Sequence, residues 1–516
     1  LINFCVHAQF FLRFSFVLQI FPVLAQEPAD ALRMSWTDPA GTARQQAIGG
    51  AMASLGGDLS AAFINPAGLA FYRTGDFVLS PLFSHANNQS TYFGRAEKAT
   101  KSGLGLGVSG FVVGSKNDNK EKGTTSFAIA LNRSAWFGNH LLYRGINNKT
   151  SFSQKFLEEI SGEGNANNVA SNYPFGSSLA FNTYWIDTVA GGTNGNFRYK
   201  TRAPIASGLI QENELQTKGS ISELAIALAG TSNEKLLYGI TLGIPFLNFT
   251  RTNTFTEADA TTAVNNFNYA SIQEYLETSG SGANLKLGII YRPAPQWRIG
   301  FSFHTPTFYK LTDKYSTTIT TDTENYKGLL TQSSKNFTNG DLAQSNYLHF
   351  TPYKAFASIS YVLHEIEDIT KQKGFLTGDV EFVNYRASSF KIDPSSTDQS
   401  ATKAYYAKLN DVIGQVYRPA INVRLGGELK FTTLMARAGM AYLGNPYQNI
   451  NGEQGSRFQL TGGLGYRNQG YFIDLAYVHT TGKDINFPYR LSQQSFSAAQ
   501  IVQRGASIVL TLGVKF

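Results

Sequence analysis

The sequence predicts an all-β protein: a transmembrane barrel of fourteen antiparallel strands with an amino-terminal hatch, or plug, inside its lumen. Three patterns support this prediction: a strictly alternating carboxyl terminus, further alternating segments, and connections whose lengths alternate. In residues 506–516 every even position is apolar, whereas Ser507, Thr511 and Lys515 occupy odd positions. A strand has a period of two and therefore presents one apolar and one mostly polar face. In a bilayer the apolar face would contact lipid and the other face would line a lumen.

The composition and the first residues indicate an exported protein. The 516 residues are 16% charged and 13% aromatic, carry a formal charge of +8, and contain no apolar run long enough for a spanning helix. The apolar stretch 10–24, with Arg13 inside it, predicts a signal peptide over residues 1–25, with a membrane anchor as the alternative. Cys5, the single cysteine, lies in the predicted signal peptide, so the mature chain would form no disulfide. Basic residues form no block, which argues against nucleic-acid binding.

The predicted barrel occupies residues 76–516, where fourteen segments alternate with period two. In order they are 77–84, 103–113, 125–133, 220–229, 236–245, 283–291, 297–305, 355–363, 375–385, 421–431, 434–442, 457–466, 471–480 and 505–516. Tight links follow the fourth, sixth, tenth and twelfth segments, whereas the long links all follow odd-numbered ones. Outer-membrane barrels show this asymmetry, with short periplasmic turns and long extracellular loops.

Charged residues agree with a wet lumen. In segment 421–431, Leu425 and most other odd-numbered residues are apolar and share one face. Arg424 and Glu428 lie on the opposite face. A basic side chain facing lipid at the midplane costs roughly 2 to 4 kcal/mol, so the charged face is expected to line the lumen. Closure of the barrel would leave no backbone edge unpaired in the membrane.

Residues 26–75 show no strand pattern and are rich in glycine and alanine, so they are predicted to form the hatch. Asn65 followed by Pro66 is a favourable helix start, because the amide side chain caps free N–H groups and proline suits the first helical position. A barrel of this size has an interior too wide for its own side chains to fill. A loosely structured periplasmic arm is the alternative, since such composition also suits linkers.

The run 47–58, followed by Asn65, Pro66, Ala67 and Gly68, resembles the hatch of the FadL-type long-chain fatty acid transporters. That family includes the TodX-like aromatic hydrocarbon channels. Segments 282–288 and 298–306 are also similar to it, particularly to its versions in Bacteroidetes-like bacteria. The resemblance covers the whole mature chain, and Asn65-Pro66-Ala67 is its most specific motif.

The resemblance implies an outer-membrane channel for passive uptake of hydrophobic small molecules such as long-chain fatty acids. Asn65, Pro66, Ala67 and Gly68 would belong to the hatch, and ligands would leave sideways through a gap in the wall that the sequence does not locate. The expected partners are the ligand, outer-membrane lipid and lipopolysaccharide, and the barrel-assembly machinery, which would act on the terminal Phe516. The barrel is expected to be a monomer without a cofactor.

Two groups of residues are candidates for ligand binding. Two predicted loop helices, which the resemblance implies form a hydrophobic docking groove, carry Phe152, Phe156, Leu157 and Ile160, and Ile272, Tyr275 and Leu276. Mutual packing of these helices is the alternative. Apolar residues at lumen positions include Phe111 and Phe356, together with Val78, Leu82, Leu237, Ile290, Met435 and Phe472. They would line a ligand pocket, pack against the hatch, or do both.

Other functions find little support in the sequence. The histidines have no metal-ligand spacing, and no nucleophile elbow or phosphate-binding loop occurs. An enzyme would need a catalytic triad distributed over separate strands. A porin for polar solutes and a surface adhesin or structural barrel are the remaining alternatives, and the ligand's identity stays open.

Overall fold

The structure, a computed structural model, describes residues 26–36, 41–117, 123–189, 197–231, 235–363, 373–395, 399–448, 454–492, 494 and 496–516. The predicted signal peptide lies outside these residues. Among the residues described, no helix is long and apolar enough to cross a membrane.

The wall consists of fourteen strands, several of them built from two segments. The strands are β1 (Asp76–Leu79 and Pro81–Tyr92), β2 (Arg95–Leu106 and Ser109–Asn117), β3 (Gly123–Trp136 and Asn139–Asn147), β4 (Leu209–Thr231), β5 (Leu236–Asp259), β6 (Tyr269–Ala294), β7 (Trp297–His304 and Phe308–Asp322), β8 (Ala343–Phe350 and Lys354–Leu363), β9 (Gly374–Asn384 and Ser389–Ile392), β10 (Pro419–Phe431), β11 (Leu434–Leu443), β12 (Arg457–Asn468), β13 (Tyr471–Asn486) and β14 (Ala499–Lys515).

Successive strands pair antiparallel, and β14 pairs with β1, for example Val509 with Leu82, which closes the barrel. The lipid-facing parity is as predicted, since Leu425 is 49% exposed while Arg424 is buried in the lumen. The fourteen-stranded closed barrel predicted from the sequence is therefore confirmed.

The prediction of a loop helix at Ile272, Tyr275 and Leu276 is wrong, because all three lie in β6. Positions 272 and 276 are four residues apart and share a face in a strand as they do in a helix, so the spacing did not distinguish the two. Strands β4 to β7 extend well beyond the membrane, and this part of the predicted loop belongs to that extension.

The lumen position predicted for Phe111 is also wrong. β2 is interrupted between Leu106 and Ser109, and the interruption inverts its parity. Phe111 pairs with Phe77, which is 52% exposed on the outer face, and opposed residues of antiparallel strands share a face. Phe111 therefore faces lipid, where its ring centroid lies 6.3 Å from that of Phe127.

The hatch lies inside the barrel and consists of short helices joined by tight turns. Its helices are α1 (Pro28–Ser35), α2 (Ala43–Ala47), α3 (Ala61–Ile64) and a 3-10 helix, Pro66–Phe71. Outside the barrel, the loop after β3 contains α4 (Ser153–Glu159), α5 (Ala166–Ser171), α6 (Ser177–Asn182) and a hairpin of strands Ile186–Val189 and Arg198–Thr201. The loop after β9 contains α7 (Gln399–Val416), which the sequence reading missed.

Candidate functional site

Asn65 joins the hatch to the wall. Its side-chain oxygen accepts a hydrogen bond from the Ala67 N–H (3.2 Å), which caps the 3-10 helix as predicted. Its side-chain nitrogen donates to the carbonyls of Ile289 and Phe301, both at 3.2 Å, on β6 and β7. The wall is shaped for this contact, because a Cβ at Gly288 would lie 1.9 Å from the Asn65 side-chain oxygen. The predicted hatch residues Pro66, Ala67 and Gly68 are all buried behind it.

Further buried hydrogen bonds hold the hatch around its circumference. Asp379 on β9 accepts from the backbone N–H groups of Met52 (2.9 Å) and Ala53 (3.0 Å). On the opposite side, Thr511 of β14 accepts from the Ala43 N–H at 2.8 Å. Because unpaired buried N–H groups are costly, these bonds fix the hatch to several strands at once.

A charged cluster lies between the hatch and β10, β11 and β13. Arg44 of α2 lies 3.5 Å from Glu428, and Arg437 donates to Glu428 at 2.5 Å and to Asp474 at 2.6 Å. These groups are almost fully buried, so removing one partner would leave a buried charge uncompensated. The cluster therefore closes the lumen with paired charges.

At the loop side of the hatch, α1 lies under α7. The Tyr405 hydroxyl donates to the Gln26 carbonyl (2.5 Å), and the Tyr417 hydroxyl donates to the Pro28 carbonyl (2.9 Å). Leu32 of α1 belongs to the same buried cluster as Leu409 of α7. α7 thus covers the amino-terminal part of the hatch from the loop side.

The predicted docking residues of the first loop form the core of a roof. Phe152, Phe156 and Ile160 are buried in one cluster with Trp185 and Ile272, and Leu157 packs against it. This arrangement agrees with the alternative reading of these residues, in which they pack against one another. A ligand-binding role for these side chains stays a prediction, and it would require the cluster to part.

Glu257 of β5, above the membrane, holds this roof together. Its buried carboxylate accepts hydrogen bonds from the Ser151 hydroxyl, the Phe152 N–H (3.1 Å), the Trp185 indole N–H (3.0 Å) and the Gln211 amide (3.1 Å). Burial raises the pKa of Glu257 above its ordinary value, and these hydrogen bonds oppose that shift. No sequence pattern pointed to Glu257, because its hydrogen-bond partners come from distant segments.

The other predicted ligand residues separate. Tyr275 lies on the outer face of β6, where its hydroxyl donates to Glu277 at 3.0 Å; a role inside a docking groove is therefore wrong for this side chain. Leu276 is buried in the lumen under α7. Phe356 lies in the lumen as predicted, with its ring centroid 4.8 Å from that of His304.

Most of the apolar residues predicted to face the lumen pack against the hatch. Val78, Leu237, Ile290 and Phe472 share one buried cluster with hatch residues 59–72. Leu82 packs with α2. Packing against the hatch, one of the two alternatives, thus explains these positions.

A small cavity of about 140 Å³ lies between α1, the rest of the hatch and strands β3 to β10. Met34, Phe63 and Phe356 supply much of its apolar lining. Its charged lining residues are three cations and two anions: Lys286, Lys354, Arg424, Glu223 and Glu381. Lys286 contacts Glu223, and Arg424 donates to Glu381 at 2.5 Å. Arg424 was predicted to face the lumen, but nothing in the sequence associated it with a binding site.

A larger cavity of about 410 Å³ lies on the other side of α1. Leu32 of α1 and Trp36, which follows that helix, line it together with Arg133, Trp136 and Leu82 of the wall. Its lining also comes from β12, β13 and β14. α1 therefore separates two cavities, a small charged one and a larger one of mixed polarity.

The larger cavity adjoins a gap in the wall between β2 and β3. The ladder between these strands ends at Ser109 and Leu131. Beyond this point the described residues show no β2–β3 pairing, although β2 stays paired with β1, and β3 with β4. We call this unpaired stretch the β2–β3 gap.

Two side chains of β3 fill the β2–β3 gap. Arg133 donates to the Leu104 carbonyl at 3.2 Å and to the Ser84 hydroxyl at 2.8 Å. Glycines on β2 make room for them, since a Cβ at Gly105 would lie 2.1 Å from an Arg133 guanidinium nitrogen and one at Gly103 would lie 2.9 Å from the Trp136 indole nitrogen. The gap is thus closed by side chains and not by backbone hydrogen bonds.

The described residues contain no group of three or more histidine, cysteine, aspartate or glutamate side chains that could hold a metal ion. No family model matches the sequence, and no curated protein matches it either.

Solved structures do match. A crystal structure of a Pseudomonas aeruginosa FadL homologue aligns with a TM-score of 0.52 at 13% identity, covering 93% of this chain and 99% of that chain. The Pseudomonas putida toluene transporter TodX aligns with a TM-score of 0.51 at 12% identity, with the same shares covered. At these identities the similarity concerns the fold, so the resemblance predicted from the hatch motif is confirmed at that level: this chain has the barrel fold of the FadL homologue and TodX.

Proposed function

We propose that this protein is an outer-membrane channel through which hydrophobic small molecules enter passively, and that it performs no catalysis. Ligands enter the larger cavity from the loop side and leave sideways through the β2–β3 gap. The observation that carries this proposal is the juxtaposition of that cavity with an unpaired wall edge, above a hatch bonded to several strands. The matched structures support a transport role, since one of them is the toluene transporter TodX.

The contrast between the two exits favours the lateral route. Passage through the floor would break the buried bonds of Asn65 and Asp379 and separate the charges around Arg437. Opening the β2–β3 gap requires Arg133 and Trp136 to change rotamer and Arg133 to release its hydrogen bonds, but it breaks no backbone ladder among the described residues. An apolar ligand leaving by this route would pass from the lumen into lipid without crossing water.

We further propose that the preferred ligands are amphiphiles with an acidic head, such as long-chain fatty acids. The small cavity supports this class, since its lining combines apolar side chains with one more cation than anions. An ionised carboxylate in a low-dielectric site needs a nearby cation to balance its charge, whereas an aromatic hydrocarbon does not. The head would occupy the small cavity and the chain would lie along α1.

Uptake by reconstituted vesicles tests both the proposed channel and its proposed preference for ligands with an acidic head. We expect rapid uptake of a long-chain fatty acid, slower uptake of toluene, and negligible uptake of sucrose. Gly105→Leu places bulk in the β2–β3 gap, where only the flexible end of Arg133 must move, and should lower fatty acid uptake at least tenfold. Gly505→Leu is the matched control, because Gly505 lines the same cavity away from the gap.

Each outcome has a distinct meaning. Rapid sucrose flux without uptake of either hydrophobic compound would overturn the channel proposal and favour a porin. Toluene uptake that equals or exceeds fatty acid uptake would retain the channel and refute the acidic head. Equal uptake by the Gly105→Leu and Gly505→Leu variants would refute the lateral exit.

A further inference from the structure

The outer surfaces of β7, β8 and β9 carry a row of three side chains with a lysine at each end. Lys310 pairs with Leu348, and Leu348 pairs with Lys391, so the three residues lie side by side on one face. The row faces outward, because the Lys310 side chain is 67% exposed and the flanking residues Tyr347 and His349 are fully buried. Strands in a sheet are about 4.8 Å apart, which separates the two lysine backbones by roughly 10 Å.

This row lies at the upper boundary of the lipid-facing surface. Exposed apolar residues on β7 run from Trp297 to Phe308, and Lys310 is the next outward position. Eleven residues at about 3.3 Å and a tilt near 40° rise roughly 28 Å, close to the roughly 25 Å apolar band of such barrels. Lys310 and its row therefore lie at the level of the outer lipid head groups.

Irregularities in three adjacent strands create the row. β7 is interrupted at residues 305–307, β8 at 351–353 and β9 at 385–388. On β7 the outward parity changes from odd at Phe303 to even at Phe308, so these interruptions turn Lys310 and Lys391 to the outside together.

The row has apolar support directly beneath it. Phe308 pairs with Phe350, and their ring centroids are 5.1 Å apart. The Lys391 ammonium lies 4.5 Å from the centroid of the Phe350 ring, a cation–π contact that holds it near the apolar band. Asp393 forms an ion pair with Lys310 at 3.0 Å, so the patch, with two lysines and one carboxylate, carries one net positive charge.

We infer that Lys310 and Lys391 together bind the phosphate of an anionic lipid in the outer leaflet, with Leu348 and Phe350 contacting its acyl chain. Lysine stems are long enough to converge on one phosphate from this spacing while their methylenes cover the apolar surface. The inference rests on the proposed membrane orientation, with the loops outside, and is independent of which molecule the channel carries.

Native mass spectrometry of the protein, after release from vesicles of phosphatidylcholine with phosphatidic acid, tests this site. The wild type should retain phosphatidic acid in preference to phosphatidylcholine. Because one basic residue near a membrane surface contributes roughly fivefold to anionic-lipid affinity, Lys310→Gln/Lys391→Gln should weaken retention about thirtyfold. Lys403→Gln/Lys408→Gln, which removes the same charge from exposed positions on α7, should leave retention unchanged.

Equal retention by the wild type and the Lys310→Gln/Lys391→Gln variant would overturn the inference, as would an equal loss in the α7 control. Fatty acid uptake is measured on the same proteins and should be the same in both double variants. A failure of uptake in the wild type would count against the proposed transport function and would leave the lipid measurement unaffected.

Discussion

Replacing Asp379 by alanine should loosen one side of the hatch while leaving the barrel intact. The Asp379 carboxylate is buried and accepts the Met52 and Ala53 N–H groups at 2.9 and 3.0 Å and the Ser358 hydroxyl at 2.5 Å. In the variant, two backbone N–H groups lose their partner inside the lumen. Each buried donor left unpaired costs about 1–3 kcal/mol, so local opening of this segment should become easier by about 2–6 kcal/mol. The lower value corresponds to roughly a thirtyfold increase in the open population.

Amide hydrogen exchange measures this opening directly. We expect exchange in residues 49–58 to accelerate at least thirtyfold, whereas residues 66–71, which Asn65 holds against β6 and β7, should change little. Asp411→Ala on the exposed side of α7 removes the same group outside the lumen and serves as the control.

Ion conductance through planar bilayers separates local loosening from loss of the plug. Because Asn65, Thr511 and the Arg437 cluster remain in place, conductance of the Asp379→Ala variant should stay low. Unchanged exchange in residues 49–58 would refute the assigned role of Asp379. A porin-like conductance would show that this one attachment holds the whole hatch, which would contradict a distributed attachment and reopen the floor as an exit.

Three further predictions address the wall, the roof and the small cavity. Leu425→Arg should lower the yield of heat-modifiable folded barrel, since it costs about 2–4 kcal/mol on the lipid face, while Leu425→Phe should fold normally. Glu257→Ala should accelerate hydrogen exchange in residues 150–160 more than Glu257→Gln does, because alanine leaves every donor unpaired. Since the folded-state pKa of Glu257 is raised, the free energy of unfolding of the wild type should fall as the pH rises through that pKa. The Glu257→Gln variant should not show this trend. Lys354→Met should weaken vesicle uptake of a fatty acid and spare uptake of toluene; an equal loss for both compounds would argue against head-group binding.

The sequence predicted the strand number and the position of the hatch because lipid imposes a strict rule on every residue of a spanning strand. An outward charge is expensive and an unpaired edge is more so, hence alternation persists in each strand. Leu425 and Arg424 follow this rule. The hatch cap at Asn65 was also predictable, because its chemistry is local: the side chain bonds an N–H two residues away.

What the sequence did not predict depends on contacts between distant segments. Arg424 was predicted to face the lumen, yet its ion pair with Glu381 means that leucine at this position would deprive a buried carboxylate of its guanidinium partner. Glu257 was not recognised, since its four donors come from Ser151, Phe152, Trp185 and Gln211. No local sequence pattern predicts contacts between such distant residues.

The failures of the alternation rule also mark the places where the wall differs from a plain barrel. Phe111 was assigned to the wrong face because β2 inverts its parity after Leu106, and the β2–β3 ladder ends just beyond, at Ser109. The interruptions in β7 to β9 likewise place Lys310 outside. A strand can change parity only where an extra residue leaves the ladder, and a residue that leaves the ladder gives up backbone hydrogen bonds that lipid cannot replace. Such sites persist only if side chains such as Arg133 supply the missing hydrogen-bond partners. The proposed exit and the proposed lipid site both lie at such places.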